Sequence, residues 1–397
     1  MVLSRNFLAV TLADFFVRTA YQLGKLLPLP LLAVQLGVGE AYLGLIVSIS
    51  TLTGLLLKPI FGGLSDRWGR YGWLLLGTLW FIGIPFLYTF VENPEELFAL
   101  RLIHGLATAI YGPVTLAYIA ELSENRVAER LGWFSMARGL SYIIAPLLGG
   151  WLLTGLPPQE VFTYSGYIAA IALVPVLLLS LAPRLQPPCD EQERLPLLKD
   201  LGNKLYSGVR SLPVWLAGGI EALLYFGLYT VKVFLPVYAL QQGIPIFWVG
   251  TFFAVQQAVH LLLNPLGGRL GDCIGYGKML CSGFLLLSFA MLAFPWAIDV
   301  ERLMLLAVLM GSISAFIIPS ALAWVVHHNP SSQALGTKMG LVGSLKNTGK
   351  IIGPVAVGAL IQWFGFAHSF YVLFVIFLII TFSLIIWECK TRPMGTM

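Results

Sequence analysis

The sequence predicts an all-α polytopic membrane protein of twelve spanning helices in two pseudo-symmetric six-helix halves. Three observations predict it. Of 397 residues, 58% are hydrophobic and 11% charged, well below the roughly 25% charge of a soluble domain. Several apolar runs exceed the ~18 residues that mark a spanning helix, and no short alternating segments of a transmembrane barrel appear. The third observation is a repeat. Asp14 precedes Lys25 by eleven residues, and Glu221 precedes Lys232 by eleven, 207 positions further on. Eleven residues is about three turns, so each acid and its lysine share one helix face about 16 Å apart. Ionisable groups inside a bilayer are costly and mark substrate or ion paths. Two copies of so costly a feature point to a duplicated membrane transporter.

Taken in order, the apolar runs predict spans 1 to 6 near 6–34, 42–63, 72–91, 95–120, 129–156 and 161–182. Spans 7 to 12 are predicted near 212–239, 245–270, 277–297, 301–326, 336–363 and 367–388. The N-terminal bundle is thus 1–182, the C-terminal bundle 212–397, and the proline- and charge-rich stretch 183–211 is a linker. The N-terminus holds one basic residue and no small-residue cleavage site, so it reads as the first span and not a removed signal peptide. Cys189, Cys273, Cys281 and Cys389 form no CxxC pair, which argues for reduced thiols.

Loop charges predict the orientation. Even-numbered connections and the termini carry Arg67, Arg70, Arg126, Arg130, Arg184, Arg194, Arg269, Lys278, Lys338 and Lys390, among others. Odd-numbered connections carry Glu40, Glu92, Glu95, Glu96, Glu160, Asp299 and Glu301, with Arg302 as their single basic residue. Basic loops stay on the cytoplasmic side, so both termini and the linker are expected there, in a multi-pass protein of a bacterial inner membrane. The net charge of +5 belongs to this asymmetry and is no sign of nucleic acid binding.

Between spans 2 and 3 the chain reads Gly62-Gly63-Leu64-Ser65-Asp66-Arg67-Trp68-Gly69-Arg70. Between spans 8 and 9 it reads Gly267-Gly268-Arg269-Leu270-Gly271-Asp272, continuing to Gly275-Tyr276-Gly277-Lys278, with Asp272 lying 206 after Asp66. Glycines permit a tight turn, an aspartate can cap a helix, and arginines hold the loop on the cytoplasmic side. The string resembles motif A of the major facilitator superfamily, in Gly63, Asp66, Arg67, Gly69 and Arg70, with a degraded second copy at Asp272. Arg101-Leu102-Ile103-His104-Gly105 in span 4 looks like motif B, with His104 in place of the usual Gln. Ala145-Pro146-Leu147-Leu148-Gly149-Gly150 in span 5 looks like motif C of the drug:proton antiporter branch, with Ala145 replacing its first glycine. Span 11 repeats that pattern around Pro354, 208 after Pro146.

The resemblance implies two bundles of inverted three-helix repeats that rock around a central cavity lined by spans 1, 4, 7 and 10. It also implies a gating role for the motif A residues. For Pro146, Gly149, Gly150 and Pro354, gating and simple close packing remain equal alternatives.

Within the spans the basic residues are Arg18, Lys25, Lys58, Arg101, Arg138, Lys232, Lys346 and Lys350, and the acids are Asp14 and Glu221. Lys58 is expected to snorkel toward the nearby bilayer surface. The remaining excess of positive charge suits an anionic ligand. Lys25 and Lys232 are candidate ligand contacts, and similar paired cations are a device of organic-anion carriers in the superfamily. Arg18, Arg138, Lys346 and Lys350 are further candidates, with internal pairing as the open alternative. Tyr225 and Tyr229 suit the apolar part of a substrate. Asp14 and Glu221 are candidate proton carriers, with Arg101 as electrostatic partner by resemblance to motif B and His104 as another titrating group.

No Walker string is present, so energy must come from a gradient. No cofactor, metal site or catalytic set is evident, and an enzyme is not expected. The reading is a secondary active transporter, acting as a monomer in the lipid bilayer. It is expected to export an amphipathic organic anion by alternating access in exchange for protons. A polyspecific drug:proton antiporter, an organic-anion importer and a lipid-moving relative are the alternatives within that class, and a membrane-embedded enzyme outside it.

Overall fold

The computed structural model describes residues 5–123, 127–179, 210–327 and 335–391. Of the linker expected at 183–211, residues 183–209 lie outside the described residues. Helix accounts for every predicted span, and ten helices among the described residues are long and apolar enough to cross a membrane. One of these ten, Lys338–Cys389, covers two spans. Its helix Leu335–Thr391 breaks at Gly365, where φ is 77°, between the segments predicted as spans 11 and 12. The first span falls outside the ten because Asp14, Arg18 and Lys25 interrupt its apolar face. The twelve-span reading is consistent with this set.

Span 1 is two helices, Arg5–Leu26 and Pro28–Gln35. Pro28 and Pro30 each lack the N–H that a helix ladder needs, so the chain resets at Leu27. Span 7, Leu212–Gln241, has Pro213 in its first turn and one interior proline, Pro236, and stays continuous. Span 4, Pro94–Glu121, starts cleanly because the Asn93 side chain accepts from the Glu96 N–H and Pro94 fills the first turn.

The glycine-rich strings prove mostly helical. Span 2 runs from Glu40 to Trp68 and span 3 from Arg70 to Leu87, leaving Gly69 as the one connecting residue. Span 8 runs from Ile246 to Ile274 and span 9 from Tyr276 to Ala293, joined by Gly275. Gly69 and Gly275 have φ of 84° and 103°, a backbone region that side chains with a Cβ avoid. The loop expected over Gly62–Arg70 is therefore a single-residue turn, and Gly62 and Gly63 belong to the end of span 2.

By internal contacts the chain forms two units. The first comprises Met1–Asp190 with Val233–Ala254; the second comprises Glu191–Lys232 with Val255–Met397. Outside each unit's core stand large apolar side chains such as Leu79, Tyr167, Leu262, Ile379, Phe382 and Ile386. Exposed apolar surface of this extent is expected of a lipid-facing wall.

Close packing inside the second unit sets a register that matters later. Spans 7 and 11 run in the same direction with Gly218 against Leu345, Gly349 against the Ala222 carbonyl, and Gly353 against the Phe226 backbone. A methyl group at Gly349 would overlap backbone, which cannot yield cheaply. Gly349→Ala is therefore expected to destabilise the protein by about 1–3 kcal/mol, measured as a lowered melting temperature of the purified chain. An unchanged melting temperature would refute this packing.

Candidate functional site

In the first unit, Asp14 is 1% exposed and lies between two arginines. Arg138 of span 5 (helix Val127–Leu152) grips it with two parallel bonds, Nε to Oδ2 at 2.9 Å and Nη2 to Oδ1 at 2.8 Å. Arg18, one turn along span 1, adds an ion pair at 3.5 Å. The Arg138 guanidinium also rests on the Phe134 ring at 4.5 Å and donates to Thr115 Oγ1 at 3.5 Å. The fork geometry matches the two carboxylate oxygens, the strongest common form of ion pair. The intrahelical Asp14–Arg18 pair is thus present, but Arg138 is the main partner.

Arg101 is buried and takes different partners from those expected. It donates to the Ile46 and Val47 carbonyls at 3.5 Å and to Ser50 Oγ, all in span 2. Asp14, the embedded acid of the same unit, pairs with Arg138 and Arg18 instead. Ser50 Oγ is in turn 3.3 Å from Tyr21 Oη. His104 Nδ1 and Tyr88 Oη are hydrogen-bonded at 3.1 Å, and the imidazole packs edge-on against Tyr21 and Phe81. His104 Nε2 is buried without a hydrogen bond. Lys25 donates to Thr51 Oγ1 at 3.5 Å and sits 5.4 Å above the Tyr21 ring. This cluster therefore joins spans 1, 2, 3 and 4 around cations and aromatic rings.

Motif A positions are tied down by a residue that motif reading did not supply. Arg70 donates from Nε to Glu121 Oε1 at 2.7 Å, with Nη2 at 2.6 Å from the same oxygen, and from Nη1 to Ser65 Oγ at 3.0 Å. Span 3 is thereby anchored to the ends of spans 2 and 4. Asp66 and Arg67 lie in the last turns of span 2, and their side chains are outside the described residues. Asp272, their counterpart, accepts from Tyr276 Oη at 2.7 Å. In motif C, Gly149 packs on Leu23, and Gly150 meets the backbone of Phe247 and Gly250, with Gly250 pressed against the Pro146 carbonyl. These are backbone-to-backbone contacts that larger residues would block.

In the second unit, Glu221 is 0% exposed. Lys346 Nζ stands 3.3 Å from its Oε2. That contact is an ion pair without hydrogen-bond alignment, and neither Glu221 oxygen accepts a hydrogen bond. Tyr225 and Tyr229 follow Glu221 along span 7 at intervals of one turn. Lys350 lies 4.7 Å from the Tyr225 ring and 5.5 Å from the Tyr229 ring. Lys346 is 5.5 Å from Tyr225, and Lys232 is 5.1 Å from Tyr229. Each such contact contributes about 0.5–2 kcal/mol, more as water is excluded. Three lysines thus share two phenol rings and one carboxylate.

The two acid–base pairs are equivalent. Asp14 and Glu221 are 207 apart, Arg138 and Lys346 are 208 apart, and each base sits on the span that packs alongside its acid. No cluster of three or more metal-ligating side chains occurs among the described residues. Cys273, Cys281 and Cys389 are free thiols.

Helical spans with charges buried inside each unit define a polytopic membrane carrier. Comparison with known proteins agrees. The model of the Major Facilitator Superfamily matches residues 7–260 and 221–394. The chain is 26% identical over 384 residues to the multidrug resistance protein MdtG of Escherichia fergusonii, covering 93% of this chain and 90% of that one. It is 26% identical over 407 residues to the MdtG of Serratia proteamaculans, covering 98% and 94%. The crystal structure of the nucleoside transporter NupG superposes with a TM-score of 0.78 at 14% identity, covering 98% of this chain and 100% of that one. The chain belongs to the Major Facilitator Superfamily, and it is a multi-pass membrane transporter.

Proposed function

We propose that the protein is a proton-coupled secondary transporter that exports an amphipathic organic anion in exchange for protons. The observation that carries this reading is the charge imbalance inside each unit. Away from the helix ends, Arg18, Lys25, Lys58, Arg101 and Arg138 stand against Asp14 in the first unit. Lys232, Lys346 and Lys350 likewise stand against Glu221 in the second. Cations within the spans in such excess favour an anionic guest, and the rings beside Lys25, Lys232 and Lys350 suit its apolar body. Export is supported by the motif C resemblance and by relatives named for multidrug resistance.

Within this reading Lys25 and Lys232 contact the substrate, together with Lys350, Tyr225 and Tyr229. Glu221 carries the proton, and Asp14 holds Arg138 and Arg18. Arg101 and His104 order the first unit around Ser50 and Tyr88. The protein works as a monomer with both termini in the cytoplasm.

A second reading, a polyspecific drug:proton antiporter, is favoured by the names of the relatives. Transport in phosphatidylcholine proteoliposomes under an imposed pH gradient separates the two. A panel of anionic and cationic amphiphiles is presented, and anions are expected to move. Lys25→Ala and Lys232→Ala are each expected to raise KM for the anion about tenfold, the loss of one charge-assisted contact. Movement of cations alone, unimpaired in both variants, would refute the anion reading. Uptake indifferent to the gradient would refute the coupling.

A further inference from the structure

We propose that Arg18 and Lys58 form a second anion site in the first unit, where the substrate's carboxylate, sulfonate or phosphate group binds before it reaches Lys25. The proposal rests on the anion reading above. Lys58 near the end of span 2 was expected to turn outward to the bilayer surface. Its side chain instead runs back along its own helix and inward, in the direction that helical side chains lean. A Cβ built at Gly54 would lie 3.6 Å from Lys58 Cε and 3.9 Å from its Nζ, and one built at Gly112 of span 4 would lie 3.9 Å from Cε. The same Gly112 position is 3.7 Å from Arg18 Nη2. A guanidinium and an ammonium-bearing chain therefore come within 4 Å of one point, across a residue that has no side chain.

Neither head group is satisfied. Arg138 takes both oxygens of Asp14, which leaves Arg18 with the looser 3.5 Å contact and an Nε that makes no hydrogen bond. Lys58 has no hydrogen bond or ion pair among the described residues. Two like charges this close repel each other. An anion seated over Gly112 would replace that repulsion with charge-assisted bonds from both sides.

Register sets the order of the two sites. Spans 1 and 2 run antiparallel, and Lys25 meets Thr51. Arg18 lies seven residues before Lys25, and Lys58 seven residues after Thr51. Seven residues of helix is about 10 Å, so the Arg18–Lys58 site lies that much nearer the N-terminal end of span 1. That end also carries the Gly69 turn and is the face from which an exported anion would enter. Arg18 is 19% exposed, enough for solvent to reach it.

The test measures KM for cholate and naphthalene-2-sulfonate from each face of proteoliposomes holding the full chain. Lys58→Ala removes one charge. Gly112→Ala leaves every charge in place and fills the gap at ordinary contact distance, so it guards against a folding defect in the first variant. In both, KM from the face bearing the N-terminus is expected to rise about five- to tenfold, as for one charge-assisted contact, while KM from the opposite face stays unchanged. Lys58→Arg is expected to retain wild-type KM. Unchanged KM from both faces in both alanine variants, with the wild type moving either anion, overturns the site alone. A wild type that moves neither anion overturns the anion reading and the site with it.

Discussion

Glu221→Gln is expected to abolish proton-driven accumulation, to the level of empty vesicles, while downhill flux and folding persist. The carboxylate is fully buried, no hydrogen bond reaches either oxygen, and a single lysine at 3.3 Å offsets its charge. A buried carboxylate held by one lysine and no hydrogen bond is the embedded acid least tied to fixed partners. Protonation would also release Lys346 for another anion. Glutamine keeps the shape and cannot exchange a proton. Accumulation is to be compared with and without a pH gradient, for wild type and variant side by side. Gradient-driven accumulation that survives the substitution would remove Glu221 from the coupling path.

Asp14→Ala is expected to act on stability. Removing this acid strands Arg138 and Arg18 beside each other without their shared partner. Breaking a buried pair in this way costs about 3–5 kcal/mol, whereas replacing both partners with apolar residues is far milder. The double variant Asp14→Ala with Arg138→Met is therefore expected to recover much of the lost melting temperature of the purified protein. A single variant that melts like the wild type would show that Asp14 is not the clamp its geometry describes. The contrast is instructive. The two acids occupy equivalent positions, yet one accepts two aligned arginine bonds and the other accepts none.

That contrast was only half legible. Asp14, Glu221, Arg138 and Lys346 all stand out in the chain as charges within apolar runs, and the offsets of 207 and 208 tie them into two sets. What was missed is that the offsets pair acid with base. The difference of 124 from Asp14 to Arg138 nearly equals the 125 from Glu221 to Lys346, and that recurrence was available as a signal. For Arg138 and Lys346 the sequence leaves ligand contact and internal pairing both open, because nothing local announces which parallel helix a span will pack against. Lys58 was misplaced for a related reason. Its distance from the helix end suggested an outward turn, but glycines at positions 54 and 112 open an inward path, and Gly112 is remote in sequence. Glu121, the anchor of Arg70, lies 51 residues from its partner and matches no motif.

The sequence by itself determined the membrane class, the succession of spans, the duplication and the family. Those properties follow from solvent partitioning and from short motifs, both of which act along the chain. Tertiary structure alone decided which charges neutralise each other and which are left for a ligand. An ion pair depends on the register between spans more than a hundred residues apart, and that register is set by contacts such as Gly349 on Ala222 and Gly149 on Leu23. One residue of slip along a helix turns a side chain by about 100° and would separate Lys346 from Glu221.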